Sequence, residues 1–383
     1  MRRALITTTA IVAVGAWAGA AAAQAQVARQ QQPLRLGIGG YFAAYGVYVD
    51  QPDGPGEYGE ARRRFDLKRD AEVWIKGSVA LDNGIRIGAE VQIEGQTEAE
   101  QVDQSYLLVE SAWGSLRIGA SKSASYLLST TPPSVDPNFD GIDPNFRLTN
   151  ALGPLATQNQ ASDFWSPTFT FDAEKVTYTS PRIAGFQAGI SYTPDNAQEA
   201  IKGGSFLGMP SNRESLPGRA AWSDIVSVGG YYMNEHATIG HAICVGWEHG
   251  SLSRCPVGVS CLGFQDRDVW GVYGVVWYDR YVLGGGYRKD DNGLSGDNDS
   301  TAWGLGFNYV MAPLTLGVSW LESRRSFPGV KDDRLQRVLV GGRYAYGPGM
   351  DLRASVHWYG LDSAKPTAEG DSWAVVLGTV VNF

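Results

Sequence analysis

Sixteen stretches of this chain alternate in residue character with period two, and the connections between them are alternately tight and long. That pairing of features constrains the fold more than any other. Period-two patterning marks β-strands with two unlike faces. The expected spans are 33–49, 69–81, 85–94, 104–111, 115–122, 174–180, 186–193, 224–233, 237–249, 266–277, 281–289, 301–310, 314–322, 335–346, 351–361 and 371–383. Tight turns are expected near Asn83, Trp113, Ile183, Glu235, Asp279, Ala312 and Pro348, and long polar connections between them. A sheet elaborated at one end and trimmed at the other, with an even strand count, has the plan of a closed antiparallel transmembrane barrel. The all-β expectation is therefore a barrel of sixteen strands.

The hairpin "EVWIKGSVALDNGIRIGAEVQIE" shows the local chemistry. Val73, Ile75, Val79 and Leu81 alternate with Glu72, Trp74, Lys76 and Ser78, and Asp82-Asn83-Gly84 supplies the positive-φ residues of a tight turn. The final strand, "SWAVVLGTVVNF", puts Trp373, Val375, Leu377, Thr379, Val381 and Phe383 on one face. At about 3.3 Å per residue, Trp373 to Phe383 spans roughly 33 Å. Tilted by roughly 40°, such a strand stands about 25 Å tall, the apolar height of a membrane barrel between its aromatic girdles. Further outward rows read Trp303, Leu305, Phe307, Tyr309; Leu314, Leu316, Val318, Trp320; and Leu352, Ala354, Val356, Trp358, the last set against Arg353, Ser355, His357 and Tyr359 inside. His241 shares the face of Ile239, Ile243 and Val245 and breaks the pattern.

Composition fits a wet-cored barrel. The mean hydropathy is only -0.19, which a membrane protein can have if every second residue faces water. The 48 Gly, 18 Tyr and 12 Trp exceed what an ordinary enzyme carries. The start, "MRRALITTTAIVAVGAWAGAAAAQAQ", has Arg2 and Arg3, an apolar stretch and the small-residue site Ala23-Gln24-Ala25. It reads as a secretory signal peptide over residues 1–25, leaving 26–383 as the barrel. Beyond it no apolar run is long enough for a spanning helix. The formal charge is -8. Removal of the two leader arginines takes it to about -10, which argues against nucleic acid as a partner and weakly favours cations in a lumen.

Sites of chemistry are sparse. The four histidines, His236, His241, His249 and His357, give no metal set. His241 and His249 share a face but stand roughly 26 Å apart along it, far beyond any shared ligand bond. "GIGGYFAAYG" and "GASKSAS" lack the glycine and lysine spacing of phosphate loops. No catalytic residues and no cofactor are expected. "DDNGLSGDNDS" offers Asp297 and Asp299 as calcium ligands, or simply a solvated loop. Cys255 and Cys261 flank "CPVGVSC", either as a disulfide or as two free thiols, and Cys244 reads as a packed residue.

Taken together, the leader-like start, "LRLGIGGYFAAYGVYVDQ", the hairpin series, the long third connection with "PNFDGIDPNFRLTN" and the final Phe383 resemble the general Gram-negative porins of alphaproteobacterial type. The resemblance covers essentially the whole chain after residue 25 and rests on the arrangement rather than on one motif. It implies an outer-membrane channel for passive diffusion of small hydrophilic solutes and ions, surrounded by outer-membrane lipids. It also implies a homotrimer, a terminal aromatic that serves in assembly, and a third loop folded into the lumen. The alternatives are a solute-specific channel or a non-transporting barrel such as an adhesin. Here that loop is 123–173, carrying Asp136, Asp140 and Asp143 among Pro132, Pro133, Pro137 and Pro144. By parity Arg35, Lys76, Arg86 and Arg117 point inward on the first, second, third and fifth strands. Loop acids facing wall bases would set a transverse field at a constriction.

Overall fold

The computed structural model describes residues 34–50, 63–96, 101–141, 166–196, 221–254, 262–363 and 370–383. The expected leader, Asp143, Cys255 and Cys261 lie outside the described residues. Strands run over Arg35–Asp50 (β1), Phe65–Ala80 (β2), Arg86–Glu94 (β3), Val102–Ser111 (β4) and Gly114–Ala120 (β5). They continue over Glu174–Thr179 (β6), Phe186–Asp195 (β7), Ala221–His236 (β8), Ile239–Arg254 (β9), Arg267–Tyr278 (β10) and Tyr281–Asp290 (β11). Ser300–Met311 (β12), Leu314–Arg325 (β13), Asp333–Gly347 (β14), Met350–Asp362 (β15) and Gly370–Asn382 (β16) complete the set. One helical turn, Ala124–Leu127 (α1), follows β5.

Each strand pairs antiparallel with its chain neighbours, and β16 returns to β1, so the barrel is closed. Closure leaves no sheet edge, which a lipid environment demands. The seam is carried to the last residue, because Gly40 and Phe383 exchange backbone hydrogen bonds of 2.9 and 3.0 Å. Alternation then sorts the side chains. On β12, Trp303, Leu305 and Phe307 are exposed while Ala302, Gly304 and Gly306 are buried. The same outward exposure of large apolar residues recurs around the wall, a surface that only lipid or another protein can cover. Aromatic pairs gird it. Trp303 meets Trp320 edge-on at 4.3 Å, and Tyr281 stacks on Tyr309 at 5.1 Å. His241 packs beside Tyr232 at 5.7 Å in such a pair.

Strand boundaries match the expected spans closely, with one instructive exception at β8–β9. The turn lies at Ala237–Thr238 and Glu235 belongs to the strand. Ala237 takes a positive φ of 53°, a conformation normally signalled by Gly or Asn, so the sequence gives no cue there.

Candidate functional site

The third loop enters the barrel. Its feet are clamped first. Lys122 bonds Asp172 at 2.5 Å. The ammonium of Lys175 reaches the carbonyls of Ser121, Phe171 and Ala173. Burial pushes the Asp172 carboxyl up to about 6, against the pull of Lys122.

Beyond the feet the loop follows the inner wall. The backbone N–H groups of Ala124 and Ser125 donate to Ser191 on β7 and Ser227 on β8, at 2.7 and 3.1 Å. Glu248 on β9 is fully buried. It accepts from both arms of the loop: from Ser125 Oγ at 3.1 Å, Thr168 Oγ1 at 2.7 Å and the Phe169 N–H at 2.8 Å. Cys244, two inward positions away, accepts from the Thr130 N–H at 3.1 Å.

The wall makes room for the loop with glycine. Gly189, Gly229 and Gly246 are cross-strand partners on β7, β8 and β9, as are Gly284 and Gly306 on β11 and β12. A Cβ on Gly246 would stand 2.5 Å from Pro167, one on Gly284 would stand 2.8 Å from Pro133, and those on Gly229 and Gly306 would collide with the carbonyls of Ala124 and Pro133. These positions form a track one side chain deep, in which the backbone of the loop lies.

The far end of the loop is held by buried ion pairs. Asp136 accepts from Arg353 of β15 at 2.8 Å and from the Tyr45 hydroxyl of β1 at 3.1 Å. Asp140 accepts from Arg337 of β14 at 2.5 Å and from Ser319 of β13. Arg337 also donates to the Phe139 carbonyl at 2.7 Å. The Phe139 ring is fully buried, edge-on to Tyr45 at 4.9 Å and to His357 at 5.6 Å. Burial raises the pKa of Asp136, and Arg353 works against that shift.

The described loop acids are paired directly with wall bases outside the expected set. Asp136 and Asp140 do meet wall arginines, but these are Arg353 and Arg337. Arg35, Lys76, Arg86 and Arg117 make no bond to the loop among the described residues. Lys76 pairs with Glu90 and Arg86 with Glu110, each at 3.2 Å, and Arg117 lies over the Tyr106 ring at 5.1 Å. Arg35 is exposed at the tight-turn end of β1. The glycine track seats the described loop residues on β7–β13 and ion pairs hold them at β14 and β15, whereas the β2–β4 wall raises Trp74, Tyr106 and their charged neighbours. Glu248, Arg337 and the glycine track were not singled out by sequence reasoning. An inward acid set between Gly246 and Gly250 was the available signal for Glu248. In the Asp290–Ser300 stretch, Asp290 is held by Arg267 and Arg288 and Asp299 by Lys289.

A family model described as Gram-negative porin matches residues 7–363. This chain belongs to the Gram-negative porin family. The porin is accordingly a protein of the outer membrane. Solved structures agree in fold. The anion-selective porin from Comamonas acidovorans is 14% identical, with 92% of this chain and 100% of that chain covered, at a TM-score of 0.58. OmpT of Vibrio cholerae, in its trimer form, is 10% identical over 92% and 100%, at 0.58. A mutant of Rh. blastica porin is 15% identical over 91% and 100%, at 0.51. Among curated proteins, an uncharacterized protein of Rickettsia prowazekii is 28% identical over 132 residues, 30% of each chain. One of Rickettsia typhi is 29% identical over 153 residues, 35% of this chain and 34% of that one. The porin spans about a third of the length of the curated relatives it matches.

Proposed function

We propose that this porin is a water-filled channel for passive diffusion of small hydrophilic solutes and ions, assembled as a homotrimer. The supporting observation is the seat of the third loop. It lies inside a closed barrel and is pinned at its feet, along β7–β9 and at β13–β15, and among the described residues none of the loop bonds to Lys76, Arg86 or Arg117 on the β2–β5 wall. A loop held in this way narrows a lumen without closing it, and the passage runs beside the β2–β5 wall. That wall carries Lys76, Arg86 and Arg117 with Glu90 and Glu110, so permeating ions pass fixed charges of both signs. We assign the pore lining to this row and an anchoring role to Asp136 and Asp140. The trimer is supported by the trimeric relative from Vibrio cholerae and by the outward belt of exposed aromatic and aliphatic residues.

Single-channel recording in a planar bilayer tests the reading. Refolded porin should insert in discrete steps of equal conductance that scale with salt concentration. Inserted barrels that pass no current would favour a non-transporting barrel, and saturation by one solute would favour a solute-specific channel.

A further inference from the structure

The outer wall carries an acid on a row that should face lipid. Glu322 shares the outward face of β13 with Leu316, Val318 and Trp320. A carboxylate there is costly unless it is paired. Glu322 is only 1% exposed, and it accepts three hydrogen bonds, from Arg324 at 2.8 Å, Arg334 at 2.5 Å and Gln336 at 2.9 Å. Arg324 and Arg334 are direct cross-strand partners, a repulsive arrangement for like charges. Glu322 bridges them with one negative charge for two positive ones. Their side chains stay 50% and 38% exposed. Arg324 spends only its Nε on Glu322, and its terminal nitrogens make no other hydrogen bond among the described residues.

The level of the cluster matters. β13 turns tightly at its start, through Ala312–Pro313, and reaches a long connection after Arg325. The cluster therefore lies at the long-loop end, just beyond the Trp303–Trp320 pair, where aromatic rings mark the headgroup boundary. Membrane-ward of it, on the same outward row of β14, Val338 and Val340 join Val356, Trp358 and Trp373 around an apolar groove of about 330 Å³. Register fixes the adjacency, because Gln336 pairs with Gly360, Val338 with Trp358, and Trp358 with Trp373.

We propose that this is a seat for a phosphorylated lipid of the outer leaflet, with its phosphate on Arg324 and Arg334 and one acyl chain in the groove between Trp358 and Trp373. Two guanidiniums anchored on one carboxylate suit the bidentate geometry of phosphate. Glu322 offsets one of the two guanidinium charges, Asp362 opposite Arg334 is engaged by Lys331, and Asp371 stands on the next strand opposite Gly360, so the phosphate is recognised by guanidinium hydrogen bonds at the depth of a headgroup rather than by a large net charge. The groove opens sideways into the bilayer and lies directly below, so headgroup and chain belong to one molecule. The inference rests on the outer-membrane placement of the porin and is independent of conduction.

The test is native mass spectrometry of refolded porin in detergent with bisphosphorylated lipid A. Wild type should retain the lipid, and R324Q/R334Q should lower retention at least tenfold. R182Q, an exposed arginine near the opposite rim, should change nothing. Dephosphorylated lipid A should bind wild type no better than it binds the double variant, and millimolar inorganic phosphate should not displace the lipid. Single-channel conductance of the double variant should equal wild type, which shows the barrel intact and keeps this result separate from the channel reading. Equal retention by wild type and variant overturns the proposal. So does displacement by inorganic phosphate, which would mark a free-anion site. Dissociation of the oligomer with unchanged lipid retention also overturns it, by assigning the cluster to a contact between copies.

Discussion

Arg337 of β14 donates to Asp140 of the third loop at 2.5 Å, with both side chains buried. Two hundred residues apart in order of magnitude, they make the loop and the wall one body. Removing one partner of a buried pair leaves an uncompensated charge, at a cost of about 3–5 kcal/mol. The loop is the part free to move, so the cost should appear as loop release. R337Q and, at the neighbouring pair, R353Q should give larger and noisier single-channel currents. Replacing both members of the pair, as in D140L/R337M, should quieten the trace again, because no charge is then stranded. Wild-type conductance and noise in the single variants would show that the pairs do not hold the loop.

The glycine track makes a second, steric prediction. G229V or G306V places a side chain where the loop backbone runs. Overpacking costs about 1–3 kcal/mol, relieved by pushing the loop into the lumen. Conductance should fall or fluctuate while the barrel still folds. G37A and G77A meet open space and should be neutral in the same recordings. Equal behaviour of the two sets would refute the track as the seat.

The feet of the loop predict a pH response. Burial holds the Asp172 carboxyl at about 6, above its ordinary 3.8. The folded state then binds more protons than the unfolded one between those values, so stability falls as pH rises through that window. The full contribution is at most about 3 kcal/mol. Wild type should therefore gain thermal stability in detergent between pH 7 and pH 4 relative to D172N, which lacks the titrating group. Parallel pH profiles of the two proteins would contradict this assignment.

The strands were legible because lipid outside and water inside impose opposite demands on alternate residues. That pattern survives in each segment without knowledge of its partner. Trp303, Leu305 and Phe307 face lipid wherever β12 is placed in the ring. The seat of the loop was not legible for the same reason. Gly229 and Gly246 read as ordinary small residues until the register sets them side by side. Arg353 could be read as inward, yet its partner Asp136 lies more than two hundred positions away, on a loop without periodicity. The turn at Ala237 was misplaced because no glycine or asparagine announces its positive φ.

Selectivity follows from which charges remain in water. Asp136 and Asp140 are buried and neutralised by Arg353 and Arg337, so a passing ion feels them weakly. Lys76 and Arg86 keep about half of their side-chain surface exposed, and their acid partners Glu90 and Glu110 differ, the first nearly buried and the second open. On the proposed pore lining, ions meet the bases at close range, where screening by salt still reduces but does not abolish the interaction. Neutralising Lys76, Arg86 and Arg117 to glutamine should shift the bilayer reversal potential toward cations at low salt, and the shift should shrink at high salt. D136N and D140N should alter noise and conductance through loosening of the loop, with little movement of the reversal potential. The opposite pattern, a large shift from the aspartates and none from the bases, would place the acids in the current path and the β2–β5 wall out of it.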